Sequence, residues 1–221
     1  MNCFIHSLTK ALAALILTGA IQLATAQEFV WAPDFPVGAS LPEISALDQD
    51  GKLRTFDDLK GEKGMLFMLS RSYDWWPFCK FQLVQLTDVT EQFGALGFGI
   101  AALSYDSVEM LKEVQEDQEI GFPLLHDETV KHVNALGIRN VDYEPGHRFY
   151  GIPYPGLFLV DSNGVIKHKF AEERYQDRPD FSGILEAAAD MWETWALPLG
   201  FGFSGDNLKL ASIEGYWRNG L

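Results

Sequence analysis

Gly64-Met-Leu-Phe-Met-Leu-Ser-Arg-Ser-Tyr-Asp-Trp-Trp-Pro-Phe-Cys-Lys80 reads as three segments in succession: an apolar run, a polar and aromatic loop, and the opening of a helix. Gly64–Leu69 carries no polar side chain and suits a central strand buried on both faces. Ser70–Phe78 follows as a loop. A helix is then predicted from about Cys79 to Phe93, with Leu83, Leu86, Val89 and Phe93 near helical spacing and Gly94 as its stop. A loop between the end of a buried strand and the start of a helix is where open α/β sheets hold their ligands.

The same alternation extends on both sides. Upstream, Gln27–Leu41 with Pro33 and Pro36 reads as an extended lead-in, and Ile44–Leu47 and Lys52–Thr55 as short strands about the turn Asp48-Gln-Asp-Gly51. Phe56–Gly61 suits a brief helical turn. Downstream, Phe98–Leu103 is predicted as a strand and Ser107–Glu119 as a helix, with Ser107 as N-cap and Val108, Leu111 and Val114 facing inward. Phe122–Leu125 follows as a strand and Glu128–Leu136 as a short helix closed by Gly137. After the loop Asn140–Tyr154, Gly156–Asp161 and Val165–Phe170 form a hairpin about Ser162-Asn-Gly164. Asp180–Ala196 closes the series as a helix with Ile184, Leu185, Ala188, Met191 and Trp192 on one side. The expected class is α/β, a central mixed β-sheet flanked by helices on both faces.

The 221 residues are 47% hydrophobic and 22% charged, a globular mixture that disfavours disorder and a polytopic membrane protein. The formal net charge of -14 would repel a phosphate backbone, so nucleic acid is not an expected partner. Residues 1–26 have the form of a secretory signal peptide: a basic stretch ending at Lys10, an apolar region from Ala11 to Leu23, and the small-x-small site Ala24-Thr-Ala26. Its removal predicts an exported protein, periplasmic or extracellular, with no stable membrane insertion. Cys3 leaves with it, so the mature chain has a single thiol, Cys79, and no internal disulfide. It retains 16 cations against 31 anions.

Placement of that thiol in the first turn of a helix favours the thiolate, because unpaired backbone N–H groups and the helix dipole face it. Arg71 and Lys80 are candidate stabilisers, whereas Asp74 would serve as proton acceptor or oppose the thiolate by like charge. Two readings of Cys79 stay open on placement alone: a reactive sulfur, or a small buried hydrophobe. Trp75 and Trp76 likewise read as an exposed platform or as core, core being the commoner fate. No metal or other cofactor is expected, since His126, His132, His147 and His168 lack ligand spacing.

Trp76-Pro77-Phe78-Cys79-Lys80 after an apolar strand, with Gly151-Ile-Pro-Tyr-Pro-Gly-Leu-Phe-Leu-Val-Asp-Ser-Asn-Gly-Val-Ile166 downstream, resembles the thioredoxin fold. Within it the chain is similar to the AhpC/TSA (alkyl hydroperoxide reductase/thiol-specific antioxidant) redoxins. The resemblance spans about residues 33–190, leaving 197–221 as a C-terminal extension. It implies a pocket formed by Trp76, Pro77, Phe78, Tyr154 and Pro155, with Pro155 facing Cys79 after a cis Tyr154–Pro155 bond. Trp76 stands where thioredoxin-like enzymes carry their attacking cysteine, and Cys79 matches the position aligned with the peroxidatic cysteine of peroxiredoxins. The peroxiredoxin Thr or Ser three residues before that cysteine is Trp76 here, the Pro seven before it is Ser72, and the late-strand Arg corresponds to Pro155. The implied activity is a thiol-dependent oxidoreductase or one-cysteine peroxidase at Cys79, acting on a small peroxide and recycled by an external thiol reductant or redox partner protein. The alternative is a non-catalytic thioredoxin-fold binding module in which Trp76 has replaced the nucleophile.

Overall fold

The alternation of short strands and helices closes into one seven-stranded sheet in the computed structural model, which describes residues 29–196. The predicted signal segment and the extension 197–221 lie outside the described residues. The strands are β1 (Ser45–Asp48), β2 (Leu53–Thr55), β3 (Gly64–Leu69), β4 (Phe98–Ser104), β5 (Leu124–His126), β6 (Gly156–Asp161) and β7 (Ile166–Phe170). Their order is β2-β1-β5-β4-β3-β6-β7. β3 is buried at every residue because it is central, parallel to β4 on one side and antiparallel to β6 on the other. The sheet is therefore mixed, as the pattern of connections requires.

Period-two alternation splits the apolar residues of the strands between two layers. Leu66, Met68, Ile100, Ala102, Leu157 and Leu159 face the helices α2 (Pro77–Asp88), α3 (Thr90–Ala95), α4 (Val108–Asp117) and α6 (Phe181–Ala196). Met65, Phe67, Ala101, Leu103, Phe158 and Val160 face the other way, under α1 (Phe56–Leu59), α5 (Lys131–Ala135) and the lead-in. Cys79, Leu83 and Leu86 are the buried apolar stripe of α2; Leu111 and Val114 are that of α4; Ile184, Ala188 and Met191 are that of α6. Ser107 caps α4, its hydroxyl accepting from the Met110 amide at 3.3 Å.

The lead-in is more than a spacer. Trp31, 5% exposed, lies against Phe158 with ring centroids 4.5 Å apart, and its indole N–H donates to the Tyr154 carbonyl at 2.9 Å. The packed core thus begins before the expected boundary at residue 33. A Cβ on Gly156 would lie 2.6 Å from the Trp31 ring, so Gly156→Ala forces that indole or the β6 backbone to move. A loss of about 1–3 kcal/mol is expected in urea unfolding, from overpacking at a filled site.

Several sequence expectations shift by a few residues, for identifiable reasons. The helix predicted over Cys79–Phe93 starts at Pro77, which fits the first helical position because it has no N–H to satisfy. It breaks at Val89, whose ψ of 6° separates α2 from α3. The strand predicted at Phe122–Leu125 is Leu124–His126, its register set by parallel pairing with Ala102–Ser104. The stretch Glu128–Leu136 divides into a 3-10 turn at Glu128–Val130 and α5, with Thr129 and Val130 both at positive φ.

Candidate active site

Ser72 and the Tyr73 amide, in the loop Ser70–Phe78, are held by one carboxylate from the next strand over. Asp106, just past β4, accepts from the Ser72 hydroxyl at 2.7 Å, from the Tyr73 amide at 2.6 Å and from the Ser104 hydroxyl at 2.8 Å. Ser72 in turn accepts from the Asp74 and Trp75 amides, so the first turn of the loop is tied to the sheet. Burial raises the Asp106 carboxyl above its ordinary range, and the three hydrogen bonds oppose that shift. Tyr73 is wholly buried, which pushes its phenol well up, with the nearby Ser70 hydroxyl acting in the opposite direction. Trp75 donates to the Tyr105 hydroxyl at 2.8 Å and stacks on Phe149.

This anchoring sets the start of α2 and places Cys79 in its first turn, with its amide bonded to the Trp76 carbonyl at 3.0 Å. The sulfur is 0% exposed. Above it lies Arg178, from the segment joining β7 to α6, with Nη2 3.7 Å from Sγ. Arg71, 2% exposed, stacks its guanidinium on Tyr175 at 4.0 Å and on Trp76 at 5.4 Å. Burial lowers the Arg71 pKa from its usual value; the neighbouring Cys79 sulfur opposes this and Arg178 reinforces it. Neither arginine is within ion-pair distance of a carboxylate among the described residues. Nε and Nη2 of Arg71, Nε of Arg178 and Nε1 of Trp76 are buried and have no hydrogen-bond acceptor among the described residues, whereas Nη1 of Arg178 donates to the Tyr175 and Asp177 carbonyls.

Beside this cluster runs a groove of about 590 Å³ lined by Pro77, Phe78, Phe81, Phe181 and Arg178 among others. Phe78 and Phe81 are exposed along it, and Arg178 belongs to both groove and thiol site. Of the residues expected at the pocket, Arg71, Trp76, Pro77 and Phe78 surround Cys79 or line this groove. Trp75 and Trp76 are half-buried, between the two readings of the sequence.

The expectations for Tyr154, Pro155 and Lys80 require correction. The Tyr154–Pro155 peptide is trans. Tyr154 packs in the opposite layer from Cys79, where its carbonyl meets Trp31 and its amide donates to Ile138. Neither Tyr154 nor Pro155 lines the groove, because the turn before β6 is fastened to the lead-in side of the sheet. Lys80 is exposed although the Cys79 beside it is buried, since consecutive helix residues point about 100° apart. Asp74, also exposed, is engaged through its amide in the loop. The cation beside the sulfur is Arg178 instead of Lys80. It stands 99 positions from Cys79 in a charged, irregular stretch, and no local pattern marks it.

Comparison with known proteins places the fold and the family. Residues 37–169 match the AhpC/TSA family. The chain is 31% identical over 132 residues to peroxiredoxin 2 of Sulfuracidifex metallicus, a match covering 57% of this chain and 58% of that protein. It is 26% identical over 147 residues to peroxiredoxin Bcp of Escherichia coli K12, covering 65% and 90%. Among solved structures, peroxidoxin BcpB of Mycobacterium tuberculosis aligns with a TM-score of 0.61 at 16% identity, covering 72% of this chain and 97% of that one. A variant of peroxiredoxin 6 of Arenicola marina aligns at 0.63 and 22%, covering 73% and 75%. The thioredoxin-like fold, the position of Cys79 at the head of α2 and the match across most of the described domain show that the chain belongs to the AhpC/TSA family of peroxiredoxin-like redoxins.

Proposed function

We propose that the protein is an exported one-cysteine thiol peroxidase whose nucleophile is Cys79. The observation that carries this reading is the placement of the mature chain's single thiol in the first turn of α2, with the Arg178 guanidinium 3.7 Å from its sulfur. A cation and a helix N-terminus both complement the charge of a thiolate. In the proposed cycle the Cys79 thiolate attacks the distal oxygen of a peroxide. The O–O bond breaks, the sulfur becomes sulfenic acid and the remaining oxygen leaves with the electron pair. An external thiol then displaces water from the sulfenic acid to form a mixed disulfide, and a second thiol releases Cys79 and carries away the disulfide. No second cysteine follows residue 26, so the reductant comes from outside the chain.

Relatives support both halves of the cycle. The matched proteins are named peroxiredoxins, and a structural neighbour at TM-score 0.60 is described as a yeast mitochondrial one-cysteine peroxiredoxin resolved through glutathione and thioredoxin systems. Export rests on the signal-type segment 1–26. No helix among the described residues is long and apolar enough to cross a membrane.

Intact mass spectrometry of the chain recovered from the secreted fraction tests both parts. The mass should begin at Gln27, and brief peroxide treatment with dimedone should add one adduct, located at Cys79. A chain that retains residues 1–26 overturns export. A Cys79 that takes no adduct until the protein is unfolded overturns the peroxidase reading and leaves the aromatic surface around Trp76 as the site of a binding module.

A further inference from the structure

The cations around Cys79 are the anomaly of this molecule. In a chain with formal charge -14, two neighbouring guanidiniums, Arg71 and Arg178, lie buried or half-buried with no carboxylate in ion-pair range among the described residues; Nη1 of Arg178 donates to the Tyr175 and Asp177 carbonyls, neutral acceptors that leave its charge uncompensated. Their company is aromatic: Trp76 and Tyr175 for Arg71, and Phe78 and Phe181 along the groove that Arg178 lines. The one carboxylate lining that groove, Asp180, is engaged by Ser182. Two N–H groups of Arg71, one of Arg178 and that of Trp76 are buried without an acceptor. Buried cations without a counter-charge are costly, and buried donors without acceptors rarely persist, so an assembly of this kind calls for an anion. The Cys79 thiolate supplies one negative charge against two cations.

We infer that the site takes peroxycarboxylic acids bearing an apolar chain, with the acyl oxygens held by Arg71, Arg178 and the Trp76 N–H and the chain lying in the groove over Phe78 and Phe81. The inference rests on the peroxidase reading and narrows its substrate class. Attack of the thiolate on the terminal oxygen of R–C(O)–O–OH forms the S–O bond and breaks the O–O bond. Cys79 is oxidised to the sulfenic acid, which keeps the transferred OH, and R–COO⁻ leaves with the electron pair. The leaving group is a carboxylate, which needs no proton for its departure and matches the fork geometry of a guanidinium. An alkyl hydroperoxide would instead release an alkoxide that must be protonated. The polar side chains described around the sulfur are arginines, an indole and the buried phenol of Tyr73, all weak proton donors.

Two measurements on the full mature chain test the inference. First, rates of Cys79 oxidation by peroxyhexanoic acid and by cumene hydroperoxide are compared, and their ratio is divided by the same ratio for N-acetylcysteine to remove intrinsic reactivity. The normalised ratio should be about tenfold or more in favour of the peroxy acid, as expected for a charge-assisted hydrogen-bonded pair. It should fall towards one in Arg178→Met and in Arg71→Met. Second, hexanoate should raise the melting temperature of the wild-type chain while the neutral isostere hexanamide should not, and Arg178→Met should abolish the difference. The second measurement needs no catalysis, and its wild-type arm stands even if Arg71→Met fails to fold. If Cys79 reacts with both peroxides at a normalised ratio near one, or if hexanoate stabilises no better than hexanamide, the peroxidase reading stands and this inference falls. A ratio unchanged in both arginine variants overturns the assigned residues. If neither peroxide oxidises Cys79, both readings fall.

Discussion

Asp106→Ala is expected to lower the stability of the protein by about 3 kcal/mol or more and to eliminate oxidation of Cys79 by peroxide. One carboxylate receives three hydrogen bonds from Ser72, Tyr73 and Ser104 inside the fold. Removing it leaves the Tyr73 amide and two hydroxyls without their acceptor, each at about 1–3 kcal/mol unless it finds another. A domain of ordinary stability, about 5–15 kcal/mol, loses roughly a fifth or more of its total by such a change. Chemical denaturation with an unchanged m-value, together with dimedone labelling of the folded protein, checks both halves. A loss under about 1 kcal/mol with labelling intact would mean that the loop holds its shape without Asp106.

The same carboxyl carries a pH dependence whose sign follows from its environment. Burial raises its pKa in the folded state above the ordinary value of 3.8, so the native protein binds the proton more tightly than the unfolded chain. Its contribution is therefore most favourable below the unfolded pKa and declines as pH rises through the folded pKa. Asp106→Asn removes this titration while keeping an acceptor oxygen. The stability of the wild type relative to Asp106→Asn should fall as pH rises through that window and level off above it.

Cys79→Ser should abolish peroxide consumption in the presence of an external thiol, leaving only the uncatalysed background. Serine keeps the size of the side chain but its hydroxyl is a weak nucleophile, and no base activates it among the groups beside the sulfur. Because residue 79 is wholly buried, the hydroxyl also costs about 1–3 kcal/mol of stability. Cys79→Ala separates the two effects: it carries no polar atom, so it should be as inactive as serine while melting closer to the wild type. Continuous peroxide assays and thermal melts of all three chains decide the matter. Residual activity well above background in the alanine variant would place the chemistry elsewhere.

The site was partly legible in advance. A free thiol at the head of a helix, an arginine eight residues before it and a Trp-Pro-Phe stretch between them lie close in sequence, and the backbone geometry of strand, loop and helix brings them together without further help. The acceptor that fixes their loop was not legible, because Asp106 lies 34 positions from Ser72 and reads as an ordinary acidic residue before an N-cap. The same holds for Arg178. The expected cis bond before Pro155 came from family resemblance, and the trans peptide of this chain accompanies a turn tied to Trp31.

What the sequence determined by itself is therefore the set of elements and the kind of sheet. The unbroken apolar run of β3, the Asn-Gly turn between β6 and β7 and the stripes of α4 and α6 are local periodicities, and local sterics and burial read them directly. What only the tertiary structure decided is the environment of Cys79: its complete burial, the guanidinium 3.7 Å away, and the donors that lack acceptors. Those depend on side chains converging from the loop after β3, from α2 and from the segment before α6. Convergence of that kind is set by packing across the sheet, which residue spacing along one strand or helix does not encode.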